Sequence, residues 1–223
     1  MGVIPTRMMP MGVWRKSAPP LPYDAEVEYL ESTGTQALNT GVNQKLTQSS
    51  LSLHIVFYPT YFVRGTEFDI AGTGSGQTPT FGTDQSTARW QKIGVWAGSG
   101  TWWTPASMTI KAWHDYHITL SATSASRTLV FDGVTYTTTE YNNSMAGGNL
   151  DSIHLFASGP TRFNSRMRIS SCQIIRDGVL CFDGIPVRVG SGSSAVGYLF
   201  DRVSGTLFGN AGTGAFTIGP DKT

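Results

Sequence analysis

A chain of 223 residues with 14% charged side chains and a formal net charge of +1 has no field that would gather nucleic acid or an acidic membrane, and no Lys/Arg-rich run supplies a local one. No apolar run approaches the roughly 18 to 20 residues of a membrane span, and the opening residues lack the roughly 7 to 15-residue apolar centre of a secretory signal, so the expectation is a soluble chain made in a cytoplasm. The length suits one main all-β domain, and abundant Gly, Ser and Thr with 11% aromatics form a sheet-and-turn composition.

Residues 1–22, "MGVIPTRMMPMGVWRKSAPPLP", stand apart, since Pro5, Pro10, Pro19, Pro20 and Pro22 permit neither a helix nor a central strand. The segment reads as an extended arm. Val3, Ile4, Met8, Met9, Met11, Val13 and Trp14 make it too apolar for a solvated tail and nominate it as a partner-binding element. The remainder, 23–223, reads as a single domain of strands.

"DAEVEYLES" (24–32) alternates at Val27 and Tyr29 and reads as a strand. "SSLSLHIVFY" (49–58) puts Leu51, Leu53, Ile55 and Phe57 on one face and Ser52, His54 and Val56 on the other, and "DSIHLFA" (151–157) repeats the pattern with Ile153, Leu155 and Ala157. Gly-rich turns separate such runs, and many short strands at regular spacing indicate a sandwich or barrel. In "WHDYHITL" (113–120) the period of two sends His114, Tyr116, Ile118 and Leu120 one way and Trp113, Asp115, His117 and Thr119 the other. His114 and His117 therefore cannot share a metal, and His117 belongs beside Asp115.

"GTGSGQ" (72–77) follows a strand, but Pro79 and a further turn replace the helix that a phosphate loop needs, so nucleotide binding is rejected. "RWQKIGVWAGSGTWWTP" (89–105) gathers Trp90, Trp96, Trp102 and Trp103 around a Gly loop, and aromatic faces stack on sugar rings. Adjacent Trp102 and Trp103 must point to opposite faces, so one of them fills the core; Trp96, Trp102 and Trp103 are the candidate glycan-binding residues. Asp132-Gly133 reads as a hairpin turn, because no acid cluster accompanies it to hold calcium. Asn142-Asn143-Ser144 is formally a glycosylation acceptor, of little meaning without a secretion signal. Cys172 and Cys181 flank two short strands about an Asp177-Gly178 turn. That turn sets Ile174 against Cys181, leaving the sulfur-bearing residues a diagonal of about 7 to 8 Å apart and the thiols free and largely buried.

Three blocks carry a resemblance: "VEYLESTGTQALNTGV" (27–42), "WHDYHITLSATSASRTLVFDGV" (113–134) and "GYLFDRVSGTLFGNAGTGAFTIGP" (197–220). They resemble the opening, central hairpin and closing segment of laminin-G-like, concanavalin A-like domains of the type found in phages and surface proteins of gut bacteria. The resemblance implies a two-sheet antiparallel jelly-roll sandwich with one concave and one convex sheet. The fold hosts lectins, glycan-binding modules, glucanases and structural shells, so the sites must decide between them. "TEFDIAG" (66–72) holds Glu67 and Asp69 in the manner of the glucanase signature, but Ala71 or Gly72 stands where its second glutamate belongs. The pair reads as polar residues on an exposed edge or a concave face, and no catalytic residue is assigned.

The leading expectation is a non-enzymatic structural protein of a bacteriophage virion, a capsid decoration or tail-associated protein made in the host bacterial cytoplasm. Its 1–22 arm would engage other virion proteins, with self-association as a further possibility. The alternative is a glycan-binding, lectin-like adhesion or receptor-binding module whose partner is a cell-surface glycan. Neither reading calls for a cofactor or a metal.

Overall fold

The period of two becomes two packed layers of strand. The computed structural model describes residues 20–43, 50–62, 68–73, 79–83, 91–96, 102–121, 126–139, 152–159, 162–163 and 165–223. With strands numbered in chain order, the larger sheet runs β11 (Val134–Thr138), β10 (Arg127–Phe131), β9 (His114–Ser121), β4 (Ser50–Tyr61), β15 (Arg166–Arg176), β16 (Val179–Val189), β17 (Val196–Asp201) and β18 (Thr206–Phe208). On it β1 (Ala25–Glu26) pairs with β16, while β2 (Leu30–Thr33) lies between β15 and β19 (Thr217–Ile218). The second sheet has the order β3 (Leu38–Asn43), β12 (Ser152–Leu155), β5 (Phe68–Gly72), β6 (Thr80–Thr83), β7 (Lys92–Trp96) and β8 (Trp102–Ser107). A short ribbon joins β13 (Ala157–Gly159) to β14 (Arg162–Phe163). Every described pairing is antiparallel. The chain is a two-sheet antiparallel jelly-roll sandwich.

The core lies between the sheets. Leu51, Leu53, Ile55 and Phe57 of β4 and Tyr116, Ile118 and Leu120 of β9 are buried, while the alternate residues Ser52, His54 and Val56 remain partly open. Each such aliphatic or phenyl side chain contributes about 1.5–3 kcal/mol by leaving water. Phe57 meets Phe68 of the opposite sheet with ring centroids 6.2 Å apart, and buried Tyr116 donates its hydroxyl across the gap to Gly94 O at 2.7 Å. The opening and closing segments zip together, with Leu30 opposite Ile218, Glu31 opposite Thr217 and Val27 bridging Asp221.

Both Asp-Gly hairpins form as the sequence implies. Asp132 and Gly133 have φ of 49° and 79°, and Asp177 and Gly178 have 53° and 77°, the left-handed pair that matches strand twist. The second hairpin corrects the cysteine geometry. Ile174 pairs with Phe182 and Ile175 with Leu180, so Cys181 is an extra residue in a bulge, and Cys172 lies opposite Gly184. Both thiols are free as expected, but only Cys172 is fully buried. Its thiol is pushed far up, chiefly by burial and further by the Asp183 and Asp201 carboxylates.

Two other readings are corrected. "DAEVEYLES" is extended but broken into β1 and β2. The alternation of "DSIHLFA" fails at Phe156, whose φ of 64° ends β12 before Ala157 begins β13. Beyond that turn the chain doubles back over β5: Ser158 O lies 2.7 Å from where a Gly72 side chain would begin, and Ser165 Oγ donates to Asp69 O. Asp69 is therefore fully buried in an interior strand rather than standing on an exposed edge.

Candidate functional site

The tryptophan cluster is resolved by register. Cross-strand partners share a face, and Val95 lies opposite Trp103 while Trp96 lies opposite Trp102. Val95 and Trp103 belong to the core. Trp96 and Trp102 therefore form a pair on the face turned away from the larger sheet, both partly exposed. Trp103, at 8% exposure, is withdrawn from the glycan-binding set: it is the neighbour whose ring fills the core. The same row continues in register from Trp96 to Thr80, Gly72, His154 and Asn39, but it is open only at its tryptophan end, because Gly72 lies against Ser158 and His154 is buried.

A bulge fixes this arrangement. Between the Ile93–Ala106 and Val95–Trp103 pairs, Gly94 alone faces Thr104 and Pro105. The β8 backbone approaches so closely that a side chain on Gly94 would start 1.8 Å from Trp103 O. From the other sheet Tyr116 holds the Gly94 carbonyl, so β7 is pinned from inside and pressed by β8 alongside. Beyond the bulge Lys92 Nζ donates to Ser107 Oγ at 2.8 Å. The surface thus offers two indole rings, flanked in register by the Thr80 hydroxyl on one side and bordered by a lysine-serine pair further along the strands.

The other expected residues fall as follows. Trp90, Glu67, the asparagine acceptor at 142–144, most of the 72–77 loop and the arm residues Val3, Ile4, Met8, Met9, Met11, Val13 and Trp14 lie outside the described residues. His114 and His117 occupy opposite faces of β9, as parity requires. His114 is buried, with Nδ1 2.7 Å from Asp132 Oδ2, Nε2 2.7 Å from Thr109 O, and its ring stacked on Phe131. It braces the Asp132 turn, whose other oxygen accepts Asp115 N–H at 2.9 Å.

On the outward face His54, an alternating surface residue of β4, meets Asp115 Oδ1 through Nε2 at 2.7 Å and lies 5.2 Å from the His117 ring. Burial, then the neighbouring His54, hold the His117 imidazole below its ordinary value against the opposing pull of Asp115. Among the described residues no group of three or more His, Cys, Asp or Glu side chains is disposed to hold a metal ion. Nor is any helix among them long and apolar enough to cross a membrane.

No protein-family model matches the chain, and no curated protein matches its sequence. Solved structures do resemble it. A Bacteroides ovatus ATCC 8483 protein described as carbohydrate binding superposes with a TM-score of 0.56 at 11% identity, over 89% of this chain and 61% of that one. The heptameric SAP-like pentraxin of Limulus polyphemus gives 0.40 at 11% identity, over 70% of this chain and 72% of its own. The chain spans about three fifths of the B. ovatus structure. At this identity the likeness to the B. ovatus structure is one of fold, and it agrees with the jelly-roll sandwich traced above.

Proposed function

We propose that this jelly-roll domain binds carbohydrate through the outward face of its second sheet, with Trp96 and Trp102 as the stacking surface. The observation that carries the reading is the partly exposed tryptophan pair set opposite the core position of Trp103. Indole faces pack against the C–H faces of pyranose rings, and hydroxyl and ammonium groups at their margin hydrogen-bond sugar hydroxyls. The fold-level neighbour from B. ovatus, a protein described as carbohydrate binding, supports the same direction, and together these rank the glycan-binding reading above the virion-shell reading.

A glycan array followed by calorimetric titration of the best neutral oligosaccharide tests it. Trp96→Ala and Trp102→Ala should each weaken binding at least tenfold, about 1.4 kcal/mol, with unchanged melting temperature. Absence of any reproducible glycan binding, or full binding by both variants, would sink the proposal. Display on a phage particle is a separate proposal, supported by the three resembling blocks and the apolar, proline-punctuated segment 1–22. A chain lacking residues 1–22 should fold but fail to join the particle, and normal incorporation would count against it.

A further inference from the structure

The larger sheet carries on its outward side an aromatic surface that is unrelated to the Trp96–Trp102 face. Register places Glu31 beside Arg168 and Arg168 beside Tyr58, with Trp113 next to Tyr58 at the head of β9. The ring centroids of Tyr58 and Trp113 are 5.4 Å apart, and those of Tyr29 and Trp113 are 6.3 Å apart. The Arg168 guanidinium lies 4.3 Å from the Tyr29 ring centre and 5.2 Å from that of Tyr58. Glu31 Oε2 accepts its Nε–H at 2.8 Å. Two residues along the same strand face, Arg166 sits 5.0 Å from the Tyr61 ring centre.

Packing alone leaves part of this surface unexplained. Trp113 is 44% exposed and Tyr61 53%, an open indole and phenol that the sheet does not cover. Arg168 is held by two rings and by one carboxylate at Nε, which leaves the outer edge of its fork without a partner among the described residues. Arg166 has no carboxylate partner among them either. Among the described residues the arginine end of the patch therefore carries two guanidiniums against one carboxylate, Glu31, while Asp115, two residues beyond Trp113 on the same face, is engaged by His54. The aromatic rings that hold the guanidiniums limit the ordering cost of binding an anion. Its chemistry couples a ring face for a sugar to a fork for a carboxylate.

We infer that this face is a second carbohydrate site, selective for acidic sugars: a uronate whose ring lies on Trp113 and whose carboxylate is taken by Arg166 and the free edge of Arg168. The inference is independent of the Trp96–Trp102 reading, because the two surfaces face away from each other.

Calorimetric titration of the full chain with short oligomers of galacturonic and mannuronic acid, each beside its methyl ester, provides the test. At least one acidic oligomer should bind and lose affinity as salt is raised, with its ester at least tenfold weaker. Trp113→Ala and Arg166→Gln should each weaken that binding at least tenfold. Both alter exposed side chains, so melting curves should match the parent. Trp102→Ala should leave it unchanged. Failure of both acids to bind, equal binding of the esters, or retention in Trp113→Ala would overturn the inference. Loss in Trp102→Ala would also overturn it, by moving the acid to the other face. A concentration-dependent dimer abolished by Trp113→Ala, with no uronate binding, would assign the patch to self-association instead.

Discussion

Gly94→Ala probes the link between backbone packing and the tryptophan face. The new methyl would start 1.8 Å from Trp103 O and 2.8 Å from Thr104 Cα, both backbone atoms. Neither can rotate away as a side-chain tip would. Reaching a separation of 3.0 Å requires β8 to retreat by about 1.2 Å at the bulge, a forced shift in a well-packed region that costs about 1–3 kcal/mol. The Tyr116 hydroxyl bond to Gly94 O weakens with it, adding about 0.5–1.5 kcal/mol. A total near 3 kcal/mol corresponds to a melting temperature lower by about 6–12 °C for a domain of this size. Gly133→Ala is the matched control: its φ is +79° and nothing lies within 4 Å, so only the left-handed backbone penalty of about 1 kcal/mol applies. Thermal melts of the two variants side by side decide the matter. A Gly94→Ala protein melting within a few degrees of the parent, or above Gly133→Ala, would show that the close approach at the bulge is not what fixes β7 against β8.

Other consequences can be checked with the same protein. His114→Ala should cost about 3–5 kcal/mol in urea unfolding, because it leaves a cavity between Phe57 and Phe131 and removes the brace on the Asp132 turn; a loss under 1 kcal/mol would refute the bracing role. Burial raises the Asp201 carboxyl, but hydrogen bonds from Ser204 Oγ and from the Asp183, Val203 and Ser204 N–H groups outweigh it and hold the pKa below the ordinary value. A depressed carboxyl contributes stability that is present above its unfolded pKa of about 3.9 and is lost as pH falls through the folded one. The stability gap between the parent and Asp201→Asn, read from urea midpoints, should therefore be open at neutral pH and narrow below about pH 4; a gap that is constant with pH would contradict this. A thiol reagent should label half-buried Cys181 in the native protein and reach Cys172 only on unfolding, and native labelling of both would disprove the burial of Cys172.

The legible part of this fold was what strand parity alone decides. In β4 and β9 each apolar residue at the expected position is buried, and the same rule separated His114 from His117 and required that one of Trp102 and Trp103 be internal. Parity could not say which one, because an isolated strand does not reveal which face looks toward the partner sheet. The cysteines show the rule's weakness: one bulged residue at Cys181 changed the partner of Ile174, and no residue in "QIIRDGVL" announces it. Asp69 fails for another reason. Its burial goes with the passage of residues 157–159 and of Ser165 against β5, a long-range event with no local signature.

The same distinction explains why the second aromatic surface has no local signature in the sequence. Trp96 and Trp102 are joined by a short connection, so their proximity could be read as a local cluster. Tyr29 and Trp113 immediately precede β2 and β9, while Tyr58 and Arg168 lie within β4 and β15, and each taken singly is an ordinary outward residue. His54 and Asp115, 61 positions apart, meet by the same route. Antiparallel pairing collects such residues only after strand order is set, and that order, β9 beside β4 beside β15 beside β2, is what places a guanidinium between two phenol rings. A sequence signal does remain: Arg166 and Arg168 recur with a period of two on one strand, as do Tyr29, just before β2, and Glu31 within it. Outward positions filled by aromatics and arginines, where Ser and Thr would suffice for solubility, mark a face whose composition exceeds what the fold requires.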